Sequence, residues 1–295
     1  MNKIYLYATL LACAVMTSCS KDENTLKNPT SIANVNAEPR VGGVVLKWTL
    51  PKDSNFLYLE VRYQKKGQTI KRLVSKNIDS VVITGLLNKL DYTFEIQPFN
   101  QNKKEVKGGE IITTGKITPV KRPIATTYLA DQLTQITGIT ADMLETFTQQ
   151  SDEGPKKDLI DGNINTYWHS AWSGNIQPLP HWVRINFPSE TTIGSFKYYV
   201  RQSTHVTARP NQFAIETSAD GVTWKREWTS TANLPVDPMN TEKQQSFGKN
   251  LTSKFFRLML LANQGNLSYT HLSELTLFKM AEQQTDLEKV AEDNY

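Results

Sequence analysis

Cysteine is nearly absent: the 295 residues hold two, Cys13 and Cys19. Cys13 lies inside an apolar run, Ile4 to Met16, that follows Lys3. That run is too short to span a bilayer and has the length of a signal-peptide core, so the chain reads as exported, with Cys13 leaving on cleavage. A single remaining thiol excludes a disulfide within the mature chain. Stability must then come from buried apolar area, and roughly 275 residues suffice for two domains of ordinary size. Charge of one sign is missing too: 33 Lys plus Arg stand against 29 Asp plus Glu, a formal +4, with no basic cluster. Nothing in that balance calls for nucleic acid or for steering to an anionic membrane.

Catalytic signatures are also missing. There is no Gly-x-Ser-x-Gly, His-Glu-x-x-His or Cys-x-x-Cys, and the four histidines, 169, 181, 205 and 271, show no metal-ligand spacing. Gly109 to Gly115-Lys116 fails as a phosphate loop, because its glycines are one residue too far apart and Ile117 stands where a hydroxyl is needed. The chain is expected not to be an enzyme.

What is present begins with Met16-Thr17-Ser18-Cys19, which resembles the lipobox of bacterial lipoproteins. The resemblance implies a signal peptide over residues 1–18 and acylation at Cys19. Ser20-Lys21-Asp22-Glu23 resembles the short acidic signal that sends lipoproteins of the Bacteroidota to the outer face of the outer membrane. The implied location is the outer membrane, lipid-anchored and facing the exterior, and three acyl chains exceed what stable attachment needs. Residues 19–29, polar and aperiodic, read as a tether.

Beyond the tether the period is two. Val44, Leu46 and Trp48 alternate with their neighbours, as do Leu57, Leu59, Val61 and Tyr63, and then Tyr92, Phe94 and Ile96. Alternation with β-branched and aromatic residues means half-buried strands. The stretch Leu86 to Asn100 resembles fibronectin type III domains, which implies that Trp48 packs in the core and Tyr92 closes a corner by bonding to backbone. This domain is assigned to residues 30–118. Residues 119–126, with Pro119, Lys121, Arg122 and Pro123, read as a linker. Residues 128–147 leave room for one short helix. Strand alternation resumes after Gly154-Pro155, with Val183, Ile185 and Phe187 on one face, and continues to Phe278. The polar, acid-rich residues 281–295 read as a flexible tail. The fold class is therefore all-β, two antiparallel sandwiches.

The second domain, residues 127–280, carries four ordered segments: Leu159 to Trp168, Pro180 to Phe187, Phe213 to Trp224, and Phe256-Arg257-Leu258 with Leu272-Ser273-Glu274-Leu275. Together they resemble the discoidin, or coagulation-factor type C, superfamily, a galactose-binding-like jelly roll. Many eukaryotic members close their ends with a disulfide, and here a calcium ion is the expected substitute. Asp161, Asn163 and Thr166 share one tight loop that Gly162 permits, and hard cations take oxygen ligands from carboxylates, hydroxyls and turn carbonyls. The resemblance implies ligation by the carboxylates of Asp161 and Glu274 and the hydroxyl of Thr166, with carbonyls of Asp158, Asn163, Thr166 and Ser273. Asp-Gly-Asn is also a common plain turn.

By the same resemblance, sugar-binding loops lie at one tip of the sandwich. His169 and Trp172 resemble the His-x-x-Trp pair of bacterial galactose- and N-acetylhexosamine-binding members; Arg201 falls at a hydroxyl-binding position, Asn211 near an amide ligand, and Tyr269 offers a second ring. The chemistry suits a pyranose, whose apolar C–H face lies on an indole while Arg, amide and imidazole satisfy its hydroxyls. The expected function is non-catalytic glycan or polysaccharide binding at the cell surface, accessory to an importer complex. The rival reading is an adhesion module that binds a protein partner through the same loops. Lipid binding needs exposed apolar spikes ringed by basic residues, and these loops are too polar for it.

Overall fold

The computed structural model describes residues 26–295; Cys19 and most of the tether lie outside the described residues. Among the described residues no helix is long and apolar enough to cross a membrane. The chain divides into two compact units, residues 124–285 and the remainder, with 286–295 belonging to the first unit.

The first unit stacks two antiparallel sheets. One holds β1 (Ala33–Arg40), β2 (Gly43–Thr49) and β5 (Ser80–Thr84) in the order β1-β2-β5. The other runs β4-β3-β6-β7, from β3 (Tyr58–Lys65), β4 (Gln68–Ser75), β6 (Phe94–Gln101) and β7 (Val106–Gly108), and β8 (Ile112–Thr113) also pairs with β6. Alternating side chains meet between the sheets: Val44, Leu46, Trp48, Leu59, Val61, Phe94 and Ile96 form one buried cluster. The Trp48 indole N–H donates to the Ile78 carbonyl at 3.0 Å, so the ring is buried without an unmet donor. The Leu87 N–H donates to the Tyr92 hydroxyl at 3.0 Å, tying the corner to the strand.

The acid-rich end is not a loose tail. The last strand runs on to Asp286, and a helix, α1 (Leu287–Asp293), completes the first unit. The Asp286 side chain caps it by accepting from the Glu288 and Lys289 N–H groups. Glu288 is buried and receives Arg122 Nη1 at 2.8 Å and the Arg122 and Asn88 N–H groups at 3.0 Å. The Tyr295 and Tyr92 hydroxyls lie 3.0 Å apart. An acidic composition read alone implies solvation; here the acid meets a guanidinium 166 residues away.

The second unit is a jelly-roll sandwich. Its strands are β9 (Ile124–Gln135), β10 (Leu144–Thr146), β11 (Trp168–His169), β12 (His181–Tyr199), β13 (Pro210–Ser218), β14 (Lys225–Thr229), β15 (Lys243–Asn263), β16 (His271–Leu272) and β17 (Glu274–Asp286). The main sheet runs β14-β13-β15-β12-β17-β9, with β10 also on β12, while β11 and β16 form a separate two-stranded ladder. β9 begins within the expected linker, and the expected helix is a strand followed by one 3₁₀ turn, Ala141–Met143. Val183, Ile185 and Phe187 fill the core, but beyond the register shifts in β12 the buried set becomes Phe196, Tyr198 and Val200. These shifts in register flip the alternation along the strand. Gly194 lies between the two segments, where a Cβ would collide with Asn250 Oδ1.

Candidate functional site

The short ladder builds the site. β11 and β16 pair Trp168 with Leu272 and His169 with His271. Successive side chains point to opposite faces, so Trp168 and Leu272 enter the core cluster while both histidines border a cavity at the tip. The ladder continues as the Ser170 N–H donates to the Thr270 carbonyl at 3.0 Å and the Thr270 N–H to Ser170 Oγ at 2.9 Å. A second segment braces it. The His169 N–H donates to the Gly154 carbonyl at 2.9 Å, and the Trp172 N–H to Gln150 Oε1 at 3.1 Å. Gly154 has φ of +62°, and a Cβ there would lie 2.5 Å from His169 N, so only glycine brings Glu153 this close.

The cavity has a volume of about 290 Å³. That volume sits at the low end of small-ligand clefts, enough for a single sugar unit. Trp172 stands at its wall, 44% exposed, its indole N–H donating to Glu153 Oε1 at 2.6 Å. The anchored N–H fixes the ring plane and leaves apolar surface to solvent. Glu153 also accepts from the Tyr167 hydroxyl at 2.7 Å and lies 3.9 Å from Arg201 Nη2. Burial raises the Glu153 carboxyl, but the hydrogen bonds from Tyr167 and Trp172 and the charge of Arg201 outweigh it and hold the group below its ordinary value. Arg201 donates to the Tyr167 hydroxyl at 2.7 Å and its guanidinium lies 3.6 Å from that ring's centroid. The Arg201 charge is thus partly balanced and its orientation fixed.

His169 is buried, and its Nδ1 lies 2.6 Å from the Ser170 carbonyl oxygen. A carbonyl accepts, so Nδ1 carries the proton and Nε2 keeps its lone pair. Burial pushes its pKa down, only partly offset by that carbonyl. Tyr269 lies 5.6 Å from the His169 ring, centroid to centroid. Four of the five expected sugar-binding residues, His169, Trp172, Arg201 and Tyr269, therefore line one cavity.

Asn211 does not. It belongs to β13, is buried away from the cavity, and its carbonyl accepts from the Leu234 N–H at 2.8 Å. Pro210 starts the strand and carries Asn211 into the sheet. Arg209 likewise points inward: 1% exposed, it donates to Asp237 Oδ1 at 2.6 Å and to the Ser203 carbonyl at 2.7 Å, clamping the loop that bears Arg201. Glu153, His205, Thr207, Ala208 and His271 complete the lining, and sequence reasoning missed them. The available signal was the parity of β16, which makes His271 the partner of His169.

Of the expected calcium ligands, Asp161, Asn163 and Thr166 share the loop after Leu159, and Glu274 meets it from the start of β17. Asp161 accepts from the Thr166 hydroxyl at 2.8 Å and the Asn163 N–H at 2.9 Å, and the same N–H reaches Glu274 Oε1 at 3.0 Å. Burial and the neighbouring Asp161 push the Glu274 carboxyl up to about 7. Burial opposes ionisation of Asp161 as well, yet hydrogen bonds from Glu274, Asn163 and Thr166 hold it low. The two carboxyls stand close enough that the charge of one opposes ionisation of the other. Asp158, on the preceding 3₁₀ turn, is raised by burial, and the buried Ser273 hydroxyl has no protein partner. Among the described residues no three His, Cys, Asp or Glu side chains converge as a metal site. Two carboxylates with hydroxyl and carbonyl oxygens around them are a donor set that would fit a hard cation and not a transition metal.

Comparison with known proteins adds the following. A sialidase of Micromonospora viridifaciens is 27% identical over 128 residues, 42% of this chain, and the chain spans only 18% of that protein. Among solved structures, CpGH89CBM32-5 from Clostridium perfringens, in complex with GalNAc-beta-1,3-galactose, is 20% identical with a TM-score of 0.41, covering 48% of this chain and 100% of that one. The family 32 CBM from C. perfringens NanJ, in complex with galactose, is 21% identical with a TM-score of 0.38, covering 52% and 100%. Residues 29–114 match a domain of unknown function (DUF4959). Residues 139–275, the span that carries every side chain lining the cavity, match the F5/8 type C domain.

Proposed function

We propose that the second unit is a non-catalytic glycan-binding module and that the chain displays it from the outer membrane as a lipoprotein acylated at Cys19. The observation that carries the reading is the cavity itself. An indole held edge-on by Glu153 presents apolar surface beside a fixed guanidinium, a neutral imidazole acceptor and a phenol. A pyranose needs an apolar plane for its C–H face and paired donors and acceptors for its hydroxyls, because an unmet polar group costs more than a met one returns. Glu153 is the one carboxylate in the lining and is occupied by Trp172, Tyr167 and Arg201, so it has no free role as a proton shuttle.

Calcium would staple the Asp161 loop to Glu274 and so hold β11 and β16, which flank the cavity, in register. The first unit serves as a fibronectin type III-like spacer that presents the site. Weak single-site binding would be offset by many copies on one surface, feeding polysaccharide to an importer complex. A glycan array followed by calorimetry on the protein without its leader tests the binding. Capture of a target surface that survives periodate oxidation of its sugars favours a protein partner instead. Lipid anchoring is tested by palmitate labelling of the wild type and of Cys19→Ala, and exterior display by protease shaving of intact cells; a label retained in the variant, or a protected protein, refutes each.

A further inference from the structure

We propose that His271 is a ligand-contacting, specificity-determining residue, which together with His169 reads two adjacent hydroxyls of the bound saccharide at the cavity floor. The inference rests on the glycan reading above and deepens it.

Three observations carry it. The first is placement: His271 faces His169 across the β11–β16 ladder, ring centroids 5.3 Å apart at 68°, and both rings line the cavity. The second is accounting of polar atoms. His271 is 0% exposed, and neither ring nitrogen has a hydrogen-bond partner of normal geometry in the protein; the backbone carbonyls of His205 and of His271 itself lie nearby without closing such a bond. His181, equally buried, shows what a structural histidine looks like here. Its Nδ1 meets Thr148 Oγ1 at 3.2 Å, and its Nε2 lies 2.8 Å from the Ser268 carbonyl oxygen and 3.1 Å from that of Gln177. Buried polar groups are almost always partnered, and one that faces a cavity and is not marks where a ligand atom sits.

The third observation is complementarity. Arg201 can only donate, and Glu153 can only accept. His169 has committed its one N–H to the Ser170 carbonyl and offers a lone pair. Of the buried lining residues His169, Ala208 and His271, only His271 has a donor and an acceptor neither of which closes a hydrogen bond of normal geometry within the protein. A hydroxyl both gives and takes a hydrogen bond. Two side-by-side imidazoles, one accepting and one able to do either, therefore match a vicinal pair of hydroxyls. Ala208 beside them leaves space at the floor and adds no competing polar group.

The test is calorimetry with a panel of neutral hexopyranosides and their singly deoxygenated analogues, on wild type, His271→Phe, His271→Asn and Trp172→Ala. The expected result is that wild type loses ~10-fold or more in affinity for one deoxy analogue, the loss of a buried polar partner. Both His271 variants should bind the parent sugar as weakly as wild type binds that analogue, and no longer tell the two apart. A merely structural histidine would lower affinity for every analogue alike, which overturns the proposal. So does wild-type affinity in the His271 variants while Trp172→Ala abolishes binding, an outcome that leaves the glycan reading standing. If wild type binds no saccharide, the reading fails and the proposal with it. Should either variant fail to fold, nitrogen-15 NMR of wild-type histidines decides: a His271 ring-nitrogen shift on saturation with sugar supports the contact, and unmoved signals refute it.

Discussion

Replacing Trp172 with alanine strips the cavity of its exposed indole and leaves Arg201, His169 and Tyr269 in place. A tryptophan of roughly 250 Å² that is 44% exposed offers roughly 110 Å² to solvent, and a pyranose on one face covers about half of it. With a matching area lost by the sugar, about 110 Å² leaves water, ~3 kcal/mol at about 25 cal/mol per Å². That is ~100-fold in Kd, enough to push a weak single site out of measurable range. The same substitution removes one hydrogen bond, to Glu153, from a half-exposed side chain, so the fold should lose no more than about 1 kcal/mol. Calorimetry on a saccharide the wild type binds, paired with a thermal melt, separates the two effects. Affinity within twofold of wild type in a folded variant would refute the stacking argument.

Chelation should lower the melting temperature of the second unit: at about 100-fold saturation over Kd a bound cation contributes about 2.7 kcal/mol, or ~5–10 °C. Asp161→Asn should abolish that difference, and an unmoved melt in a calcium-replete sample counts against the site. Glu288→Gln should destabilise the first unit by about 2–3 kcal/mol, because Arg122, 18% exposed at its side chain, loses its buried counter-charge; unchanged urea unfolding would show that α1 is dispensable. With calcium saturating, so that protonation of Glu274 does not empty that site, sugar affinity should be flat above the ordinary histidine pKa of about 6.5 and fall only at lower pH. The sign follows from burial, which depresses the His169 pKa and keeps its accepting nitrogen free; a decline centred at or above that pH contradicts the assigned tautomer. Gly154→Ala should weaken sugar binding by moving Glu153 off the Trp172 N–H, visible as altered Trp fluorescence before any loss of fold, and wild-type binding would remove Glu153 from the argument.

Local alternation made most of the architecture legible. Trp48, Tyr92, Val183, Ile185 and Phe187 are buried where period two puts them. Alternation cannot show where the register shifts, so the change of parity between Phe187 and Phe196 had no signature in the sequence. The cavity divides the same way. His169 and Trp172 are three residues apart and readable as a motif, whereas Glu153 reaches Trp172 only because Gly154 lets two backbones pass. Asn211 looked suitable by type and nearness, but Pro210 had already begun a strand. The end of the chain was misread because the neighbours of Glu288 are acidic and its true partner is Arg122, far away in sequence.

That closing helix also sets an order of events. Residues 286–295 belong to the first unit but are made after the whole of the second. The amino-terminal sandwich is therefore synthesised first and waits, with Arg122 uncompensated and the Tyr92 corner uncovered, until the carboxyl end is made. The part that comes first in sequence is the last to seal.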